Sequence, residues 1–449
     1  MIATAILAFV VFLPLEVIQF RDKDILCILS FLLNGIFFLF GMLSARRKYP
    51  ISMGIVYWIF MFFFMYFAPL IQYLKSKYPW RGSLTETQVL YTNMVILLFN
   101  ITFLVGGFLG NKVRVKGFTN IDISKFICND FSFSNRSKIL VSIMACLLTG
   151  YSFMKTGLIG IVVSRVQATQ VFYSGGNSAI EMIVESVIPA FMAYVVAEAG
   201  QNVSAKREKP FRFILLLVCM LICFFPTSLP RYKTITIYGT VFLVMFPSVK
   251  KGSNFFWIFV LALFFIFPLM NGFRHILSMD SIRDVFDDGF LSVYTDADYD
   301  AYRMLSSAII YTRNYGPEWG FPLLGALLFF VPRTIWPSKP GGSGAMLIRS
   351  ELGADTVSNV SCPFIGEGYL NFGFVGMILF GFFMGIWICK LDHFYWDSHK
   401  DKDYVVFSPY LFIVFMLFFM LRGDLLSSFA YLCGFAVTGY LLRTVAKYF

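Results

Sequence analysis

Histidine and charge are both scarce in this chain. Three histidines in 449 residues leave little from which to build a zinc or haem enzyme. Asp, Glu, Lys and Arg make up 14% of the sequence, where ordinary soluble domains carry about 25%. Low polarity argues against disorder, which needs many charges and few apolar groups. It equally excludes a string of soluble domains. Apolar residues reach 58%, Phe alone fills 55 positions and mean hydropathy is +0.72, more apolar surface than a soluble fold can hide. The eight cysteines form no framework. Cys27, Cys146, Cys219, Cys223, Cys389 and Cys433 sit inside apolar runs, leaving Cys128 and Cys362 in polar stretches. A Gly-rich nucleotide loop is missing, and so is the period-two alternation of an outer-membrane barrel. The first apolar run lacks a basic leader and a small-residue cleavage site, so it reads as a span and not as a signal peptide.

What is present is a series of long apolar runs. A transmembrane helix needs about 20 mostly apolar residues. Runs of that kind lie near 2–20, 25–44, 51–73, 87–109, 138–154, 179–199, 211–229, 232–249, 254–271, 364–389, 405–421 and 425–445. The expected fold is an all-α polytopic membrane protein of about 12 transmembrane helices. Residues 1–271 form a first bundle, 272–363 an extramembrane segment with short or re-entrant helices, and 364–449 a second bundle. The apolar stretch 322–331 is half the spanning length and ends at Pro332, which suits a re-entrant or interfacial helix. The stretch 157–177 mixes Arg165 and two glutamines with apolar positions and suits a surface-lying or re-entrant piece.

The net charge of +11 is spread in short clusters between the runs: Arg46 to Lys48, Lys206-Arg207 and Lys250-Lys251. Nucleic acid would ask for one basic patch, so no nucleic-acid partner is expected. Clusters of this kind orient membrane proteins. Placing the N-terminus inside puts twenty Lys and Arg in the inner segments against ten in the short outer loops. Both termini are therefore expected in the cytoplasm and 272–363 outside.

The outer segment carries the candidate chemistry. Seven Asp fall within 280–300, and Asp296, Asp298 and Asp300 alternate in DADYDAYR, without the further ligands and central Gly of a calcium loop. Arg231 lies in LPRYK, Arg274 and His275 in NGFRH, Arg303 and Arg313 in the segment itself, and Arg333 with Lys339 in VPRTIWPSKP. Planar guanidinium forks near one membrane face can clamp a diphosphate, or else pair with the Asp run. The prolines of VPRTIWPSKP fix that stretch beside a GGSG that reads as flexible. Glu367 in GEGYLNFG opens a span, where a carboxylate must face protein or a wet cavity and can serve as a general base. Glu181 and Glu185 are a second candidate pair. No cofactor or metal site is expected.

At these residues the chain resembles the Wzy-type polymerases of bacterial O-antigen and capsule repeat units. The layout with one large outer segment late in the chain, VPRTIWPSKP and GEGYLNFGFVG carry the likeness. The specific part spans roughly residues 270–380. The resemblance implies a GT-C-like glycosyltransferase in the bacterial inner membrane. Its donor is a growing glycan on undecaprenyl diphosphate, and its acceptor is one lipid-linked repeat unit. A flippase and a chain-length regulator would be pathway partners. Arg231, Arg274, Arg303, Arg313, Arg333 and Lys339 are then expected on diphosphate or sugar, with Glu367 as base and His275 as the weaker candidate. A related O-antigen ligase uses similar donors. A lipid-linked oligosaccharide flippase is the non-enzyme alternative, and it would distribute charge along its spans. The orientation is open to test: a C-terminal green fluorescent protein fusion is expected to fluoresce and a C-terminal periplasmic phosphatase fusion to stay silent.

Overall fold

The computed structural model describes residues 23–80, 82–112, 123–156, 178–226, 229–267, 290–352 and 360–448. The expected span 2–20, the stretch 157–177, Arg274, His275 and the first four Asp of the acidic run lie outside them. So do the side chains of Glu181 and Glu185. Among the described residues every regular element is helical.

Asp24 caps α1 (Ile25–Lys48) by accepting from the Leu26 amide, and Arg46, Arg47 and Lys48 fill its last turn, where the helix dipole favours cations. Ser52 caps α2 (Met53–Leu74), which is apolar all round and almost wholly buried. Next come α3 (Glu86–Lys112), α4 (Ile123–Cys128), α5 (Asn135–Thr156) and α6 (Ser178–Ser204). They are followed by α7 (Phe211–Cys223), α8 (Arg231–Met245) and α9 (Asn254–Leu261). The segment 272–363 holds α10 (Ala301–Tyr315), α11 (Phe321–Leu327) and α12 (Ser343–Leu352). The chain ends in α13 (Phe364–His399), α14 (Pro409–Arg422) and α15 (Leu425–Tyr448). Every expected span within the described residues falls on one of these helices. Six of them, α1, α2, α3, α5, α13 and α15, are long and apolar enough to cross a bilayer. The protein is an all-helical membrane protein.

Helices α7, α8 and α14 have 13, 15 and 14 residues. At 1.5 Å per residue they cover about 20 Å, two-thirds of a hydrocarbon core. Their ends at the basic side of the bundle are fixed. Arg212 in α7 meets Glu198, Ser204 donates to the Val244 carbonyl at the end of α8, and Tyr410 in α14 donates to Asp392. The shortfall is therefore at the opposite end, and it leaves a recess beneath the segment 272–363. Residues of that segment fill it from above: Tyr299 stacks on Phe64 in the middle of α2, and Gln72 donates to the Tyr294 and Tyr299 carbonyls.

Helix α13 is not one rod. Phe372 and Gly373 leave helical geometry, and Gly373 has φ +62°, a conformation glycine adopts without strain. The first turns fold back on the rest, so that Phe364 and Phe380 stand 5.0 Å apart at their ring centroids. A side chain on Gly376 would meet the Gly368 carbonyl at 2.1 Å. Beyond this hairpin α13 runs parallel to α3 on a seam of glycines. A Cβ on Gly106 would lie 2.0 Å from the Phe382 carbonyl, and one on Gly385 would lie 2.0 Å from that of Phe103. Small residues let backbones approach this closely where lipid supplies no hydrophobic drive between helices.

Gly385→Leu is therefore expected to cost at least about 1–3 kcal/mol by overpacking, read as a lower unfolding temperature in detergent. Gly150→Leu on α5, where nothing lies within 4 Å, should leave it unchanged.

Candidate functional site

The recess is ringed by helix ends, and helix ends bring unpaired backbone groups and charges together. Pro230 opens α8, making Arg231 its first residue, and Gly423 stops α14 directly after Arg422. Both guanidinium groups meet the 297–300 stretch. Arg231 Nη1 lies 2.9 Å from Asp298 Oδ2. Arg422 donates from Nε to the Asp298 carbonyl at 2.9 Å, and from Nη2 to the Ala297 carbonyl and Asp300 Oδ1, each at 3.1 Å. Asp300 is 1% exposed, and its second oxygen accepts from Trp80 Nε1 and the Ser361 amide, both at 3.2 Å. Asp298 and Asp300 of DADYDAYR thus form a clamp for two arginines, and both Asp300 oxygens are occupied by N–H donors. One helical turn on, Arg303 is buried and forks onto Glu351 at 2.9 and 3.4 Å, the strong bidentate geometry.

A second group joins three helix starts. Glu367 is 1% exposed. One of its oxygens accepts from the Leu425 amide at the start of α15, and the other from Ser343 Oγ at the start of α12, both at 2.9 Å. Asp424 beside it accepts from the Ser427 amide at 2.8 Å, and burial pushes its carboxyl above the usual range. The GGSG stretch is not the flexible hinge its composition suggests. A Cβ on Gly342 would meet Asp424 Oδ2 at 2.7 Å, and one on Gly344 would meet the Val360 and Ser361 carbonyls at 2.3 and 2.6 Å. Gly342 and Gly344 serve close packing instead, while Gly341 has nothing within 4 Å.

The sequence-predicted cations therefore divide. Arg231 and Arg303 enter the recess, tied by the short stretch 298–303. Arg333 and Lys339 close VPRTIWPSKP on itself: Arg333 donates to the Lys339 carbonyl at 2.7 Å, and Lys339 Nζ serves the Phe329 and Val331 carbonyls past the end of α11. Partial burial and the neighbouring Arg333 lower the Lys339 pKa. Arg313 stands exposed in the last turn of α10. Sequence reasoning passed over Arg422 and Asp424. The available signal was LRGD, a lone charged turn between two apolar runs.

Below Arg231 an apolar groove of about 180 Å³ runs between α8, α9 and α14, lined by Tyr232, Gly239, Phe255, Phe259, Phe267 and Phe418. Phe267 carries the Arg231 guanidinium 5.1 Å above its ring. The flank formed by Phe242 and Ile258 is exposed, so the groove is open on the lipid side. The arrangement suits an amphiphile with an anionic head at the two arginines and a hydrocarbon tail in the groove. No protein-family model, curated protein or solved structure matches the chain.

Removing Asp300 takes the carboxylate from Arg422 and the acceptor from Trp80 Nε1 and the buried Ser361 amide. Asp300→Ala is expected to destabilise the protein by about 3 kcal/mol, measured by thermal unfolding in detergent, with Asp300→Asn milder.

Proposed function

We propose that the protein is a glycosyltransferase of the Wzy type, joining lipid-linked oligosaccharide repeat units at the outer face of a bacterial inner membrane. The observation that carries this reading is the pairing of Arg231 and Arg422 with the head of a groove open to lipid. A glycan on undecaprenyl diphosphate has the matching parts: a long apolar tail, a diphosphate and a sugar held at the membrane surface.

In the proposed reaction a hydroxyl oxygen of the acceptor sugar attacks the anomeric carbon of the donor glycan. The carbon–oxygen bond to the diphosphate breaks, and its electron pair leaves on the diphosphate oxygen. Arg231 and Arg422 exchange part of their contact with Asp298 and Asp300 for that diphosphate and stabilise its growing charge. The bond is already activated, so no nucleotide is consumed. The acceptor proton passes to the carboxylate pair Glu367 and Asp424. Asp424 is the half-buried member, while Glu367 is buried and fixes the Leu425 amide and Ser343. Arg303 holds its position through Glu351. Lys339 borders the route of the sugars, with Arg274 and His275 as further contacts. The twenty-to-ten basic bias supports a cytoplasmic position for both termini, because the three basic clusters share the end of the bundle opposite the recess.

Reconstitution with purified lipid-linked repeat units, without nucleotide, tests the class. Lengthening glycan chains are expected. Movement of the lipid across the bilayer without new bonds would instead mark a flippase, and transfer to a different acceptor a ligase. Arg231→Ala and Arg422→Ala are each expected to slow chain growth about 10²-fold, with protein level checked by blot. Normal ladders from both variants would sink the assignment. With Asp424 acting unprotonated and its pKa raised, the rate should climb with pH through a value above the ordinary carboxylate range. Asp424→Asn should remove that limb.

A further inference from the structure

The loop Gly316–Gly320 holds Trp319 at φ +51°, a left-handed conformation that bulky residues rarely adopt. Its backbone has no freedom to relax. The Glu318 amide donates to the Leu370 carbonyl at 2.9 Å and the Gly320 amide to the Asn371 carbonyl at 3.2 Å. Those carbonyls are freed where α13 breaks. Gly320 lies so close to Phe372 that an added Cβ would meet its ring at 2.9 Å. The loop is thus pinned to the tip of the α13 hairpin, with the indole thrown outward and 79% exposed. Local strain kept in place by such bonding marks a side chain whose position matters.

Helix α11 continues the same surface. Phe321, Leu324 and Leu327 face outward, followed by Phe330 and Ile335, whereas Pro322, Gly325 and Ala326 are buried. Pro340 packs on Gly325 and Phe329 meets Phe429 of α15. A soluble surface seldom shows so much contiguous apolar area.

The level of this patch names its occupant. The glycine seam sets α3 and α13 in parallel register, and Tyr369 of the hairpin bonds Tyr91 of α3 at 2.9 Å. Outward-facing apolar residues begin on both helices at that height: Tyr91 and Met94 on α3, Phe374 and Val375 on α13. The hairpin tip therefore stands where the lipid-facing belt of two candidate spans starts, and Trp319 with α11 prolongs that belt sideways. Arg313 and Arg333 are exposed at either end, where long cations reach headgroup phosphates. We infer that the Trp319–Phe330 surface is a membrane seat. It is inserted at the headgroup–acyl boundary of the adjacent phospholipid leaflet, with Trp319 as its interfacial anchor. Asn371 Nδ2 holds the Glu367 carbonyl at 2.8 Å, and Asn371 Oδ1 takes the Leu323 amide at 3.0 Å. The depth of the seat thereby sets the height of Glu367 relative to the lipid surface.

The test uses the full chain in phosphatidylcholine vesicles and does not depend on any glycosyltransferase activity. Subtracting the emission of Trp319→Tyr from that of the unaltered protein isolates one indole among seven. That component is expected to be quenched severalfold more strongly by lipids brominated near the carbonyl end of the acyl chain than by aqueous iodide. Iodide quenching equal to that of free tryptophan would overturn the seat. So would a response to a soluble repeat-unit oligosaccharide in place of the brominated lipid, which would make the surface a sugar platform. Leu324→Asp should raise iodide access to Trp319, and unchanged access would count against insertion of α11.

Discussion

A backbone that leaves its helix inside an apolar bundle must be given hydrogen-bond partners by the protein itself, and the half of this molecule that carries α10 to α12 is arranged around that requirement. The break in α13 frees the Leu370 and Asn371 carbonyls, and the amides of Glu318 and Gly320 take them. The Asn371 side chain meets the first turn of α11, and Lys339 covers carbonyls past its last turn. Short α8 and α14 end against charged side chains and the 297–300 backbone instead of water. Each irregular piece is the partner of another, so the recess is a closed set of mutual dependencies.

Electrostatics follows the same logic. Arg231 sits at a helix N-terminus, where a cation is disfavoured, and Asp298 offsets it. Arg422 sits at a C-terminus, where the dipole helps, and leans on Asp300 and two carbonyls. The two arginines share one acidic stretch but are not equally content there. At the opposite end Glu198 and Asp392 are buried yet fully engaged, by Arg212 and Asn202 and by the amides of Met53 and Gly54. Those charges fasten helices to each other.

The helices were legible because their cause is local: runs of apolar residues of known length, punctuated by basic clusters. Their true extent was less so. Nothing in KLDHFYWDSH marks helix, yet α13 continues to His399, since Asp392 is stabilised by the start of α2 and Trp396 by the Ile51 carbonyl. The arginines were visible as a set, but their division between recess and loop was not. Whether Arg333 bonds the carbonyl of Lys339 or a ligand depends on three prolines closing one loop. Glycine was the most misleading signal. GGSG reads as slack, and the structure uses Gly342 and Gly344 for contacts that no side chain would permit. Arg422 and Asp424 went unread because three residues between two long apolar runs look like a turn and nothing more.

The side-opening of the aromatic groove has a kinetic meaning. An amphiphile reaches that mouth by diffusing within the plane of the bilayer, with its tail never leaving hydrocarbon. Encounter is then governed by the number of molecules per unit of membrane area, and the concentration in the surrounding water drops out. An amphiphile can also leave by the same lateral route without exposing its tail to water.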